Sequence, residues 1–295
     1  MRSTTGINLV CAAFLLLNGA LSATAQFNKL DSLSGYHLKV YFSKGQKERA
    51  TQMAIRSHNA IVYADSLINF RPNVSLLVLS PLDWPQYTKF PVYGMPHYTN
   101  DQTLVVATED NALWKSFLPP MDQLPPSLAE QIKKVYKKDE ALTMQPFFDL
   151  LALHELGHAF HMQASLNMQR KWMGEFFCNL FLHTYIAERE PQLLPALSIF
   201  PNMVVAGGTR DFTFTTLEQF ESKYEEIAMQ HPRNYGWYQC RLHVAAGKAY
   251  DAGGKDVLVK LWRSLKSKDN RNDKEFGDQL VREVHPVVGE VVLKW

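Results

Sequence analysis

Net charge is the first thing this sequence lacks. Its 31 lysines and arginines stand against 29 aspartates and glutamates, a formal +2 over 295 residues. Neither a basic footprint for nucleic acid nor an acidic tail is present. Cysteine is scarce, with Cys11, Cys178 and Cys240 as the full set. Internal repeats and low-complexity tracts are missing, and beyond the N-terminus no apolar run is long enough to cross a membrane. What remains is an ordinary globular composition, 46% hydrophobic, 12% aromatic and 20% charged, which favours a packed core.

The N-terminus is different. Arg2 and a few polar residues precede an apolar run from Ile7 to about Leu17, and Ala23-Thr24-Ala25 follows with small residues at both ends. That is the layout of a signal peptide over residues 1–25, cleaved after Ala25, with a retained anchor as the alternative. Cys11 falls in the discarded segment, because Asn8-Leu9-Val10 lacks the small residues of a lipid-attachment site. The mature chain is expected to be exported, to a periplasm or the cell exterior. An oxidising compartment permits a Cys178–Cys240 disulfide, and two buried free thiols are the competing reading.

Periodicity organises the rest. Residues 36–43 alternate and are rich in strand formers. Met53, Ala54, Ile61, Val62, Ala64, Leu67 and Ile68 predict a helix over 44–69, stopped by Pro72. The nearly continuous apolar run at 74–80 predicts a central strand. Residues 81–100 read as loop with room for a short strand, and TLVVAT (103–108) as another strand. A helix is predicted over 127–142, and the next opens at Pro146. A further helix covers 170–187, and a long connection follows through Pro191, Pro195, Pro201, Gly207 and Gly208. Thr215 or Thr216 then caps a helix, with Glu218 or Gln219 completing a capping box. That helix ends near His231-Pro232, and the remainder reads as helical. The expected class is α+β: a mixed sheet, a backing helix and a motif-bearing helix over 26–165, then an all-helical lobe over 166–295.

The stretch LALHELGHAFH lies in the helix opened at Pro146. Positions 147, 151, 154, 158 and 161 step by fours and threes, and 150 lies three after 147 and four before 154, so they share the interior-facing stripe. His154 and His158 are about 40° apart around the axis and about 6 Å along it, so two imidazoles converge on one ion. Zinc suits imidazole and in catalytic sites keeps a position open for water. Glu155, beside the first ligand, reaches that water as general base. A straight helix separates 154 from 161 by about 10 Å, so His161 reads as an outer or partly exposed histidine. Glu175 stands in WMGEFFCNLFLHTYI, a helix apolar on nearly all sides and therefore buried. A lone buried carboxylate needs a partner. A metal ion is one candidate, and Arg170 or Lys171 the other. Asn179, at i+4 on the same face, is placed to orient a ligand imidazole through its second ring nitrogen.

H-E-x-x-H followed by a glutamate on the next helix resembles the gluzincin branch of zinc metallopeptidases. There the later helix often reads N-E-x-x-x-D or G-E; this chain has Gly174-Glu175, and Asn179 where the acid often stands. The resemblance extends as an order of elements from Tyr36 to Leu265, with the motif and Glu175 its specific parts. It implies a zincin-like fold, Zn2+ held by His154, His158 and Glu175, and peptide hydrolysis with Glu155 as base. It implies a peptide or protein substrate lying along the sheet's edge strand, for which residues 103–108 are the matching run; main-chain pairing gives such binding its physical basis. It also implies a Tyr or His across the cleft that stabilises the oxyanion. Tyr238, in YQCRLHVAAGKAYDAGG, is the first choice, then Tyr235 and His231, with plain packing as the alternative. The G-x-M-E-N segment of the family's exopeptidases is absent, and YGMPHYTND stands there without a glutamate, so a free-amino-terminus site is not expected. A non-catalytic protein- or glycan-binding module on the same scaffold is the second functional reading; the intact Glu155 argues against it.

Overall fold

A computed structural model describes residues 27–138 and 140–295. The signal-peptide reading and Cys11 lie outside the described residues. The class is mixed α and β, with a small N-terminal sheet and a helical C-terminal half.

Strands β1 (Asp31–Leu33), β2 (Lys39–Phe42), β3 (Ser75–Leu79), β4 (His97–Tyr98) and β5 (Thr103–Ala107) form one sheet in the order β1-β2-β3-β5-β4. The inner three are parallel, with Leu77 level with Tyr41 on one side and Val105 on the other; the outer two pair antiparallel. Helix α1 (Lys47–Ile68) is the crossover between β2 and β3. Its buried residues Ala50, Met53, Ala54, Ser57, Ala60, Ile61, Ala64 and Ile68 recur by threes and fours, a stripe of mostly small side chains that lies close to the sheet. The helix stops at Asn69, whose φ of 50° is a left-handed cap bonding back to Asp65.

Every residue of β3 and β5 is buried. This corrects the substrate-edge expectation: the run from Thr103 to Thr108 is interior, sandwiched between β3 and β4. Its continuous apolar character fits a strand covered on both faces. The edge beside it is β4, two residues long and preceded by Pro96, and a proline with no N–H to donate belongs at an edge.

Short helices α2 (Trp84–Tyr87) and α3 (Ala112–Ser116) decorate the loops, and α4 (Pro126–Tyr136) follows. The helix expected to reach 142 ends at Tyr136. Its polar continuation, with nothing apolar to bury, turns instead into a hairpin of β6 (Lys137–Lys138) and β7 (Ala141–Leu142). Helix α5 (Gln145–Gln163) has proline in its first turn as expected, and α6 (Lys171–Arg189) comes next. The connection expected through Pro191–Gly208 is largely helix, α7 (Leu194–Ala206), with Pro201 inside it. An internal proline costs about 3 kcal/mol. Burial of Ala196, Leu197 and Phe200, together with the Tyr136 hydroxyl donating to the Ala196 carbonyl at 2.8 Å, offsets it. Helix α8 (Leu217–Ser222) opens with the expected capping box, here Thr216 with Gln219. Then come α9 (Tyr224–Gln230), α10 (Pro232–Gly253), α11 (Asp256–Ser264), α12 (Asp273–Glu283) and α13 (Pro286–Leu293).

One hydrophobic core runs through both halves. Helix α6 is its axis: every residue from 172 to 186 is buried, and α5 and α10 pack on either side. Among the described residues, no helix is long and apolar enough to cross a membrane.

Candidate metal centre

Helix α5 is held at its start by a clamp from α1. Arg49 donates to Asp149 Oδ2 at 2.6 Å and to the other carboxylate oxygen. The same guanidinium reaches the Ala107 carbonyl at the end of β5 at 3.3 Å. The motif helix is thus fixed to sheet and backing helix one turn before His154.

His154 and His158 share one face, their ring centroids 5.1 Å apart. Both Nε2 atoms point at one carboxylate oxygen: Glu175 Oε2 lies 3.1 Å from His154 Nε2 and 3.8 Å from His158 Nε2. The other ring nitrogens are engaged elsewhere. His154 Nδ1 is 3.1 Å from Asn179 Oδ1, and His158 Nδ1 is 2.9 Å from His161 Nε2. His161 therefore stands behind a candidate ligand, the outer place its position on the helix implied.

With the Asn179 amide oxygen facing it, His154 donates from Nδ1, since an amide oxygen only accepts. That leaves the Nε2 lone pair facing a carboxylate oxygen at 3.1 Å, an arrangement that needs positive charge between the two atoms. Without an ion, a proton supplies it. Burial alone would lower the His154 pKa, but the hydrogen bond to Glu175 and the nearby carboxylates raise it overall. Burial alone would raise Glu175, but the hydrogen bond from His154 and the two imidazoles hold it down at about 2. His158 is pushed to about 4 by burial, which keeps its imidazole neutral and suited to coordination. Neither basic neighbour in sequence neutralises Glu175. Arg170 pairs with Asp273 at 2.8 Å, and the Lys171 ammonium lies over the Tyr224 ring.

A second donor set overlaps the first: His154, His158 and Cys178 offer ligand atoms within 4.8 Å of one another. The two sets share the imidazoles and differ in the third donor. Burial and the carboxylates of Glu175 and Glu155 hold the Cys178 thiol well above its usual range, hence protonated. Cys178 also packs where α5 and α6 touch: a methyl group on Gly157 would meet its Cα at 3.0 Å and its Sγ at 3.1 Å. Glycine at 157 is what lets the two helices come close enough for Glu175 to reach both imidazoles. Cys178 and Cys240 are both buried and free, so the free-thiol reading holds.

Glu155 lies beside the edge strand. Its Oε2 accepts the backbone N–H of Tyr98 in β4 at 3.1 Å. Burial, opposed by the His154 charge, pushes its carboxyl up to about 7, within the range of a working general base at neutral pH.

The tyrosines sort differently from expectation. Tyr238 is not at the centre: its hydroxyl donates to the Thr216 carbonyl at 2.8 Å and its ring stacks on Trp295. The i+3 step turns it about 60° around the axis from Tyr235, enough for its ring to pack on the C-terminal Trp295 instead. His231 packs edge-on against Phe214 at the start of α10. Tyr235 does reach the centre, its hydroxyl 3.1 Å from that of Tyr224. Tyr224 in turn donates to Glu175 Oε1 at 3.1 Å. Tyr224 opens the short helix α9 and belongs to no motif, so nothing in the sequence marked it.

Two facing rows extend the centre inward. Glu175, Asn179 and His183 recur every four residues on α6; Tyr235, Gln239, His243 and Gly247 do so on α10. His243 Nδ1 is 3.2 Å from the same Asn179 Oδ1 that holds His154. Among the described residues, Asn179 Nδ2, His183 Nδ1 and His243 Nε2 are buried without a hydrogen-bond partner, while Gln239 helps to hold the Glu175 carboxylate. No protein-family model, curated protein or solved structure matches the chain, so its functional reading rests on this geometry.

Proposed function

We propose that this chain is an exported zinc-dependent metallopeptidase on a zincin-like fold. In this reading His154, His158 and Glu175 hold the ion and Glu155 is the general base. One observation carries it: a single ionised carboxylate oxygen lies 3.1 and 3.8 Å from two imidazole nitrogens whose opposite nitrogens are already engaged. Two imidazoles and a carboxylate are a donor set that suits zinc with a position left open. Glu175 is the better third donor than Cys178 because it is charged without first losing a proton from a buried thiol. When bound, zinc supplies Lewis-acid activation of water and of a carbonyl at neutral pH.

The chain's own residues then divide the work. Asn179 and His161 hold the two imidazoles, and the Tyr224 hydroxyl holds the second oxygen of Glu175. Glu155, aimed by the Tyr98 amide, accepts the proton of the attacking water and delivers it to the leaving nitrogen. Tyr235 replaces Tyr238 as the phenol that steadies developing negative charge. A substrate backbone lying along β4 would pair with main chain other than the Tyr98 N–H, which Glu155 holds.

Metal analysis and three variants test this. Purified protein should hold about one zinc per chain, as one three-ligand site requires. Glu175→Ala should lose the metal while Cys178→Ser keeps it. Glu155→Gln should keep it and lose about 10²–10⁴ in peptide hydrolysis. A metal-free wild type sinks the site. Stoichiometric zinc without turnover on a diverse peptide library favours a binding module on the same scaffold.

A further inference from the structure

Asn179 is the hinge of the arrangement, and it has two partners on one atom. Its Oδ1 is 3.1 Å from His154 Nδ1, on α5, and 3.2 Å from His243 Nδ1, on α10. Asn179 is 3% exposed and His243 6%, so both bonds lie away from bulk solvent. An amide oxygen has two lone pairs, and both are taken by imidazole N–H groups. The side-chain amide turns about a broad terminal torsion with weak intrinsic preference, so one hydrogen bond does not fix it. The second bond, from a different helix, does.

The orientation matters chemically. With Oδ1 towards His154, the Nε2 lone pair of His154 faces Glu175. With the amide reversed, Nδ2 would face His154 Nδ1, that nitrogen would become the acceptor, and the proton would move to Nε2. His154 could then no longer serve as a ligand. Asn179 carries no charge to select the first arrangement; its oxygen is held in place by the donors around it.

We infer that His243 is a positioning residue for the metal centre, acting through Asn179 to fix the tautomer and ring orientation of His154. The inference rests on the zinc-site reading above. It adds that α10, which carries Tyr235, is coupled to ligand geometry on α5 through a single shared oxygen.

The test is zinc affinity by competition with a chromophoric chelator, on wild type, His243→Phe, Asn179→Ala and the double variant. Partners behind a ligand are worth about 10- to 100-fold in metal affinity. Asn179→Ala should fall in that range and His243→Phe near its lower end. The double variant should be no weaker than Asn179→Ala alone, because His243 acts only through Asn179. Wild-type affinity in a folded His243→Phe protein, or losses that simply add, overturns the inference and leaves the site reading standing. A wild type that does not bind zinc overturns both. Histidine ¹⁵N spectra of the zinc-loaded wild type give a readout free of any folding defect. Both His154 and His243 should carry their proton on Nδ1, and His243 protonated on Nε2 instead overturns the inference.

Discussion

Helix α6 meets α5 on one side and α10 on the other, and the two contacts treat polar atoms in opposite ways. Towards α5, all four ring nitrogens of His154 and His158 face a polar partner, and glycine at 157 brings backbones together. Towards α10, Asn179 Nδ2, His183 Nδ1 and His243 Nε2 have no partner among the described residues. An unpaired buried polar group costs about 1–3 kcal/mol, so the second contact is the less fully paired of the two. The first contact concentrates a site for positive charge; the second braces it, through Asn179 and Tyr235. A function-bearing contact and its support are thus different structures sharing one helix.

Substitutions should separate the two sides. The largest effect falls on the tyrosines of α10. Tyr235→Phe should lower kcat by about 10²-fold, the scale of one oxyanion donor. Tyr238→Phe should leave kcat unchanged and cost only the stability of its bond to Thr216, about 1 kcal/mol. Equal kinetic losses would erase the distinction between them.

Glycines offer the next contrast. Gly157→Ala would press a methyl onto the Cys178 backbone at 3.0 Å, and neither helix can yield locally. Overpacking of this kind costs about 1–3 kcal/mol, or a Tm lower by about 2–4 °C per kcal/mol for a chain of this size. Gly247→Ala meets only the edge of the His183 ring, at 3.1 Å. A side chain can turn away, and alanine favours the helix by about 1 kcal/mol, so its melt should stay near wild type. Comparable losses at both sites would mean that the two contacts are equally rigid.

The smallest effect is in pH dependence, read on metal-free protein. Burial holds His243 neutral down to about 3, whereas an unfolded histidine takes up its proton near 6.5. The unfolded chain binds the extra proton between those values. Stability is therefore full above pH 6.5 and falls as pH drops, by up to about 1.4 kcal/mol per pH unit for one proton. Glu175, held at about 2 against an ordinary 4.5, loses its contribution only below pH 4.5. His154, raised by Glu175, works in the opposite sense, so the contribution of His243 is read as wild type minus His243→Gln. Denaturant melts should show that difference between pH 6.5 and 4.5; an identical slope in the variant would place His243 outside the pH response.

Much of this arrangement was legible in the sequence, and the misses have a common cause. Period and spacing put His154, His158 and Glu175 on buried faces, and the i+4 step placed Asn179 behind them. The lone carboxylate in an apolar helix was the sharpest signal. What periodicity does not carry is which face meets which. Tyr235 and Tyr238 are both on α10, and only the packing of α6 and the C-terminal segment decides that one enters the centre and the other supports Trp295. Strand order is equally hidden, so β5 read as an edge until β4 was found outside it. Tyr224 and His243 sit far along the chain from what they hold. Pro201 marked 191–208 as a connection, and tertiary burial makes most of it a helix.

The spacing of the candidate ligands along the chain has a consequence for how the molecule comes together. His154 and Glu175 are 21 residues apart, on consecutive helices joined by a short turn. Their braces come from much farther off: Tyr224 lies 49 residues from Glu175, His243 lies 64 from Asn179, and Arg49 lies 100 from Asp149. Short loops close at small entropic cost, and distant contacts form late. The α5–α6 hairpin therefore brings the candidate ligands together before α10 has docked, and each later contact fixes them further. In the zinc-site reading an ion would enter early on this order of assembly and organise the helical half, and withdrawing it from the finished protein would not reverse its entry.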